Sequence, residues 1–254
     1  MSITSIARDI QSAEWQARID LAACYRLLAY YRMTDLIYTH STVRVPGEPG
    51  HFLINPYGFR WEEITASSLV KIDIDGNKVG PSPHRVNPAG FIIHSAVHMA
   101  RHDAACVIHT HTRAGMAVST LKDGLLPLTQ IALSFYGRVG IHDYEGIALD
   151  LDERERIIAD LGETNCALIL RNHGLLAVGR SVAEAFQTIF YIERACEVQV
   201  AALSMGRELV LPPADVCEKV KQQNTQMNQD DGDLQLEWDA HLRMLDALDP
   251  SYRE

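Results

Sequence analysis

Ala167-Leu168-Ile169-Leu170-Arg171-Asn172-His173-Gly174-Leu175-Leu176-Ala177-Val178-Gly179 reads as two wholly apolar runs joined by a short polar turn. Runs this short and this apolar suit strands covered on both faces, and the turn makes them a hairpin. A third such run, Ala104-Ala105-Cys106-Val107-Ile108, ends in His109-Thr110-His111. Upstream, Tyr38 to Val45 alternates, turns at Pro46-Gly47-Glu48-Pro49-Gly50, and returns as His51-Phe52-Leu53-Ile54-Asn55. Ala66 to Ile74, the Asp75-Gly76-Asn77 turn and Lys78-Val79 continue the β-rich pattern, and Ser134 to Ile141 reads as a strand near an edge. Helical spacing marks Ser12 to Arg32, Gly90 to Arg101, Arg113 to Leu121, Asp152 to Leu161, Val182 to Met205 and Leu234 to Leu248. Ser181 can cap the fifth of these, with Glu184 at the capping-box position. Lys219 to Asp233 has almost no apolar residues and reads as a mobile linker or loop. Strand-turn-strand pairs outnumber strand-helix-strand units. The expected fold is therefore α/β, a three-layer α/β/α arrangement on a mainly antiparallel sheet. It spans residues 1–211, with a polar linker and C-terminal helical tail at 212–254.

The 254 residues carry 23 Lys and Arg against 33 Asp and Glu, a formal charge of -10. That field repels a polyanion, so no nucleic-acid partner is expected. No apolar stretch of about 18 residues suggests a membrane span. Five scattered Cys with no CxxC pair read as free thiols, which places the chain in the cytoplasm. Gly-x-Gly-x-x-Gly and P-loop patterns are absent.

His109-Thr110-His111 carries the most chemistry. On an extended chain residues i and i+2 project to one side, so two imidazoles leave a strand end together, about 6–7 Å apart along the backbone. His173 stands at the end of another apolar strand. Three imidazoles delivered this way suit a divalent ion that keeps open positions. Thr110 and Asn172 are the expected partners for the outer ring N–H groups. His94 and His98, four apart on one helix face, read as packing or supporting residues.

Three stretches then point to a family: Asn87-Pro88-Ala89-Gly90-Phe91-Ile92-Ile93-His94-Ser95-Ala96, His109-Thr110-His111-Thr112 and Arg171-Asn172-His173-Gly174-Leu175. With Leu125-Leu126-Pro127 and His142-Asp143-Tyr144-Glu145-Gly146, they resemble the class II aldolase/adducin family over about residues 15–205. The resemblance implies a nine-stranded, largely antiparallel sheet and a homotetramer with sites near subunit interfaces. It also implies a divalent metal, zinc first and iron or manganese as alternatives, held by His109, His111 and His173. The departures are specific. Where the aldolase branch has Pro-Ser-Ser-Glu, with Glu as general base, this chain has Asn87-Pro88-Ala89-Gly90. Gly90 can neither take a proton nor bind metal through a side chain. The phosphate-holding motifs are replaced by Thr39-His40 and Asn55-Pro56-Tyr57-Gly58, and Thr129, Gln130 and Ile131 stand where a Tyr acid is expected.

The pattern is that of an adducin-like branch that keeps its metal-binding histidines. It suggests a metal-dependent lyase, retro-aldol or decarboxylating, on a small non-phosphorylated carbonyl compound or hydroxy acid. A non-haem Fe(II) oxygenase and a non-catalytic adducin-like binding module are the alternatives. Candidate acid-base groups are His40, His84, Tyr136 and Tyr252, the last because the C-terminal segment can reach a neighbouring site in family tetramers. Asn87 and Arg113 are the candidate substrate contacts.

Overall fold

In the computed structural model, residues 3–146, 152–227 and 231–254 are described, without the side chains of 3–10, 88–91 and 227. Helix α1 (Ile3–Tyr30) leads into β1 (His40–Arg44), β2 (His51–Ile54) and β3 (Val70–Asp73). Then come α2 (Pro88–Ala100), β4 (Cys106–Thr110), α3 (Arg113–Ser119), α4 (Gln130–Leu133) and β5 (Val139–His142). The chain continues through α5 (Glu153–Leu161), β6 (Ala167–Leu170), β7 (Gly174–Gly179), α6 (Val182–Ser204), α7 (Ala214–Met227) and α8 (Gly232–Leu248).

Among the described residues the strands form one sheet in the order β3-β2-β1-β4-β7-β6-β5. Every neighbouring pair is antiparallel except β5 with β6. Seven strands, not nine, are present among these residues. Lys78 makes only an isolated bridge to Ile72, because the chain turns away into Pro81 and Pro83, which have no N–H for a ladder.

Alternation along β4 divides the core. Cys106 and Ile108 join the cluster built with α1 and α6, while Val107 joins the one built with α2 and α5. Each fully buried Leu, Ile or Val contributes about 1.5–3 kcal/mol, so this two-sided burial fixes which face every later β4 residue takes. His109 continues the Val107 side, facing α2.

Two expectations about the chain are corrected. Ser134 to Arg138 is not strand. Thr129 accepts from Ala132 N as the cap of α4, and Gly137 at φ 66 turns the chain before β5 begins at the sheet edge. Lys219 to Met227 is not a loop but the later part of α7, whose Gln and Lys favour helix while Cys217 is buried and Val220 half-buried; residues 228–230 of the expected linker lie outside the described residues. The residues after 211 also join the main core. Trp238, Leu245 and Tyr252 are buried in the α1–α6 cluster. Ala66 N donates to Tyr252 O at 2.9 Å and Ser67 N to Glu254 O at 2.7 Å. At α6, Ser181 Oγ accepts from Glu184 N as expected, but the Glu184 carboxylate reaches Arg180 N instead of Ser181 N.

Candidate functional site

The β4–β7 pairing sets Thr110 opposite Leu175 and brings the two histidine-bearing ends together. His109 Nδ1 donates to Leu175 O at 2.9 Å. His111, one residue past β4, donates from Nδ1 to Asp35 Oδ2 at 2.9 Å. His173 stands in the β6–β7 turn after Asn172, which takes φ 55. Asn tolerates this left-handed conformation better than most residues, so the Asn-His-Gly order serves the backbone first. Gly174 is required by close approach: a Cβ there would lie 2.3 Å from Thr110 O and 3.3 Å from His111 Cδ2.

The three histidines offer ligand atoms that all lie within 4.8 Å of one another. The hydrogen bonds decide what those atoms are. A carbonyl and a carboxylate can only accept, so in the neutral rings both Nδ1 atoms carry the proton. The two Nε2 atoms are then lone pairs, and they face each other at 2.9 Å. Two lone pairs at that distance repel unless a cation sits between them. Burial first, and then the neighbouring imidazoles, holds His109 far below the ordinary imidazole range and His173 at about 4. A divalent ion with its ligands oriented from behind fits this arrangement.

A cavity of about 490 Å³ opens over the three rings. His40, Asn87 and Asn172 line it, together with Tyr38, Tyr57, Tyr144 and Met116. His40 is paired with His109 across β1–β4, which puts both rings on one face with centroids 5.7 Å apart. The His94 ring lies 4.1 Å behind His40. Thr42 Oγ1 bridges His94 Nδ1 at 2.7 Å and His98 Nε2 at 2.8 Å, and His98 Nδ1 meets Ala104 O at 3.2 Å. Since Ala104 O accepts, the direction is set: His94 donates to Thr42, and Thr42 donates to His98. Burial above all keeps both rings neutral, His98 down to about 3. His94 and His98 are thus supporting residues behind the site.

Of the predicted site residues, His109, His111, His173, His40 and Asn87 are brought to one cavity. The others are not. His84 rests edge-on against Phe59 at 4.9 Å, outside the lining. Tyr136 lines a different cavity with Pro127 and Ile169. Arg113 opens α3 with its side chain in solvent, because the buried face of that helix belongs to Ala114, Gly115 and Val118. Tyr252 is fully buried, donating to Asp246 Oδ1 at 2.8 Å, so it cannot reach a neighbouring site without leaving the core. Thr110 is on the opposite face from His109, and its Oγ1 has no hydrogen-bond partner among the described residues. Leu175 O and Asp35 take the role expected of Thr110 and Asn172. Gly90 lies in α2 among the residues whose side-chain surroundings are outside the description.

Sequence reasoning missed Asp35, Tyr38, Tyr57, Tyr144 and Met116. Asp35 and Tyr38 sit in the connection between α1 and β1, where Arg32, Leu36 and Thr39 all take positive φ, at 60°, 50° and 63°. Strain of this kind at non-glycine residues gathers near functional sites, but no glycine marks it in the sequence. Tyr57 and Tyr144 stood inside motifs already singled out.

The family described as Class II Aldolase and Adducin N-terminal domain matches residues 19–200. The crystal structure of an aldolase II superfamily protein from Pseudomonas syringae superposes with a TM-score of 0.91 and 52% identity, covering 95% of this chain and 96% of that one. The L-fuculose 1-phosphate aldolase from Glaciozyma antarctica PI12 superposes with a TM-score of 0.82 and 26% identity, covering 96% of this chain and 94% of that one. Alpha-adducin of Rattus norvegicus is 44% identical over 256 residues, covering 96% of this chain and 34% of the adducin.

Proposed function

This chain belongs to the class II aldolase and adducin family, and on that premise we propose that it is a metal-dependent lyase. The reaction is a retro-aldol cleavage or a decarboxylation of a small non-phosphorylated carbonyl compound or hydroxy acid. The observation that carries this reading is the convergence of the three histidine rings, with His109 Nε2 and His111 Nε2 2.9 Å apart and the Nδ1 of each held by an acceptor behind its ring. His109, His111 and His173 would hold the ion, zinc by preference, with iron or manganese as alternatives.

When bound, the ion supplies a Lewis acid for a substrate oxygen. The remaining work falls to the chain. Asp35 and Leu175 O keep the ligand rings oriented with their lone pairs inward. His40, on the same face as His109, is the acid-base group assigned to move the substrate proton. Its neighbour His94 is held neutral by burial and so adds no competing charge. Asn87 supplies an amide to the substrate. Among the described residues, no helix is long and apolar enough to cross a membrane. We extend the reading to a homotetramer. Val198, Val200, Leu203 and Met205 at the end of α6 and Val210 and Leu211 beyond it are exposed apolar residues that subunit contact would cover.

The test combines metal analysis with carbon–carbon cleavage assays on 2-hydroxy acids, 2-oxo acids and hydroxy ketones. The purified chain should hold about one divalent ion, and His111→Ala should lose both the ion and turnover. His40→Asn should keep the ion and lose about 10²–10⁴-fold in kcat. Bound iron with oxygen uptake would establish the oxygenase instead. No bound metal, with His111→Ala as stable as the parent, would leave a binding module of the adducin kind.

A further inference from the structure

The walls of the cavity carry information that the three histidines do not. Tyr38, Tyr57, Tyr144 and Met116 line it, with Ile93 at its base. Among the described lining residues there is no Lys or Arg. Arg113, just past His111 in the chain, keeps its side chain in solvent. Arg171 is committed to Asp143 Oδ1 at 3.0 Å and to the carbonyls of Leu121 and Lys122. A phosphate, or a second carboxylate remote from the ion, would lose its water here without gaining an opposite charge, which costs several kcal/mol per ion. A substrate of three or four heavy atoms would fill little of a 490 Å³ space and leave the phenol rings wet. An aromatic body does neither. It covers the faces of Tyr38 and Tyr144, now 48% and 54% exposed, and meets the polarisable Met116 sulfur.

We infer that the substrate of this site is an aryl-bearing 2-hydroxy or 2-oxo acid with a single anionic head, its ring seated against Tyr38, Tyr144 and Met116. The head is turned toward the three histidines, and the ring takes the part of the cavity lined by phenols. This inference rests on the metal-dependent reading above and narrows it.

Full-length protein loaded with Co(II) tests it by ligand binding alone, through the visible band of the bound ion. Three probes share one 2-hydroxy acid head: glycolate, mandelate and 3-phosphoglycerate. Mandelate should bind at least tenfold more tightly than glycolate, and 3-phosphoglycerate no more tightly than glycolate. Tyr38→Ala and Tyr144→Ala, both at exposed positions, should each cut the mandelate advantage several-fold while leaving glycolate affinity as it was. Equal affinity for mandelate and glycolate overturns the inference, as does tighter binding of 3-phosphoglycerate. Co(II) retention, measured separately by competition with a chelating dye, distinguishes the two levels. If no Co(II) is retained, the three-histidine reading fails and the inference falls with it. Retained Co(II) without the aryl preference refutes the inference alone.

Discussion

Stripping the chain with a chelator and then restoring Zn(II) should raise its thermal midpoint. The magnitude follows from the site. An ion that binds only the folded state adds RT ln(1 + [L]/Kd), about 2.7 kcal/mol at a free concentration of one hundred times Kd. For a chain of this size about 1 kcal/mol moves Tm by roughly 2–4 °C, so the expected rise is about 5–11 °C. The three rings converge only in the folded state, so the ion stabilises that state alone. Asp35→Asn then dissects the effect. The 2.9 Å bond from His111 Nδ1 to Asp35 orients the ring and raises its basicity, and losing such a partner costs about 10–100-fold in metal affinity. At the same Zn(II) concentration a tenfold loss removes about 1.4 kcal/mol, roughly 3–5 °C of the rise. His111→Ala should abolish it. Differential scanning fluorimetry with and without Zn(II) reads all three proteins, and circular dichroism confirms that each is folded. A rise of the same size in His111→Ala would place the stabilising ion elsewhere and overturn the three-histidine site.

Acid should destabilise the fold early. His98, at about 3, and His94, also far below the ordinary imidazole value, stay neutral when folded but take protons near pH 6.5 when unfolded. Unfolded chains then bind more protons, so stability is intact above about pH 6.5 and falls below it. The slope is about 1.4 kcal/mol per pH unit for each His, roughly 2.7 for the pair, down toward the folded pKa of His98. Urea midpoints from pH 7 to 4.5 measure this, and His98→Gln should lessen the slope; an unchanged slope would count against the assignment. Glu193, buried, accepts from Thr112 Oγ1 and from Gly115 N at 3.1 Å, and burial raises its pKa. Glu193→Ala strands both donors and should cost about 2–4 kcal/mol in denaturant melts, with Glu193→Gln costing less. Gly174→Ala should weaken metal binding at least tenfold by dye competition, because its Cβ would displace Thr110 O and the strand end that carries His111.

Much of the scaffold was legible because it obeys short periods. The β4, β6 and β7 runs are apolar on both sides, and that alone marks central strands. The 219–227 stretch is not legible for the opposite reason: it has helix formers but only Val220 and Met227 as apolar residues, too few to show a period. Tyr252 illustrates another limit. A phenol near a chain end reads as available, yet the packing of α8 places it at the centre of a core cluster. His40 lay between these cases, since its chemistry was visible but its use depended on pairing with His109 across strands.

By itself, the sequence determined that His109 and His111 share a face and that His173 ends a neighbouring apolar strand, because a strand alternates with period two and an HxH pair obeys it. Tertiary structure alone decided the rest. Asp35 lies 76 residues before His111, and no local rule links an irregular turn to a strand end so far away in sequence. The tautomers of the two facing rings depend on Asp35 and Leu175 O, and the walls of the cavity on Tyr38, Tyr57 and Tyr144 from three separate connections. Local periodicity sets the direction in which a side chain leaves its strand; only the folding of distant segments against one another sets what it meets there.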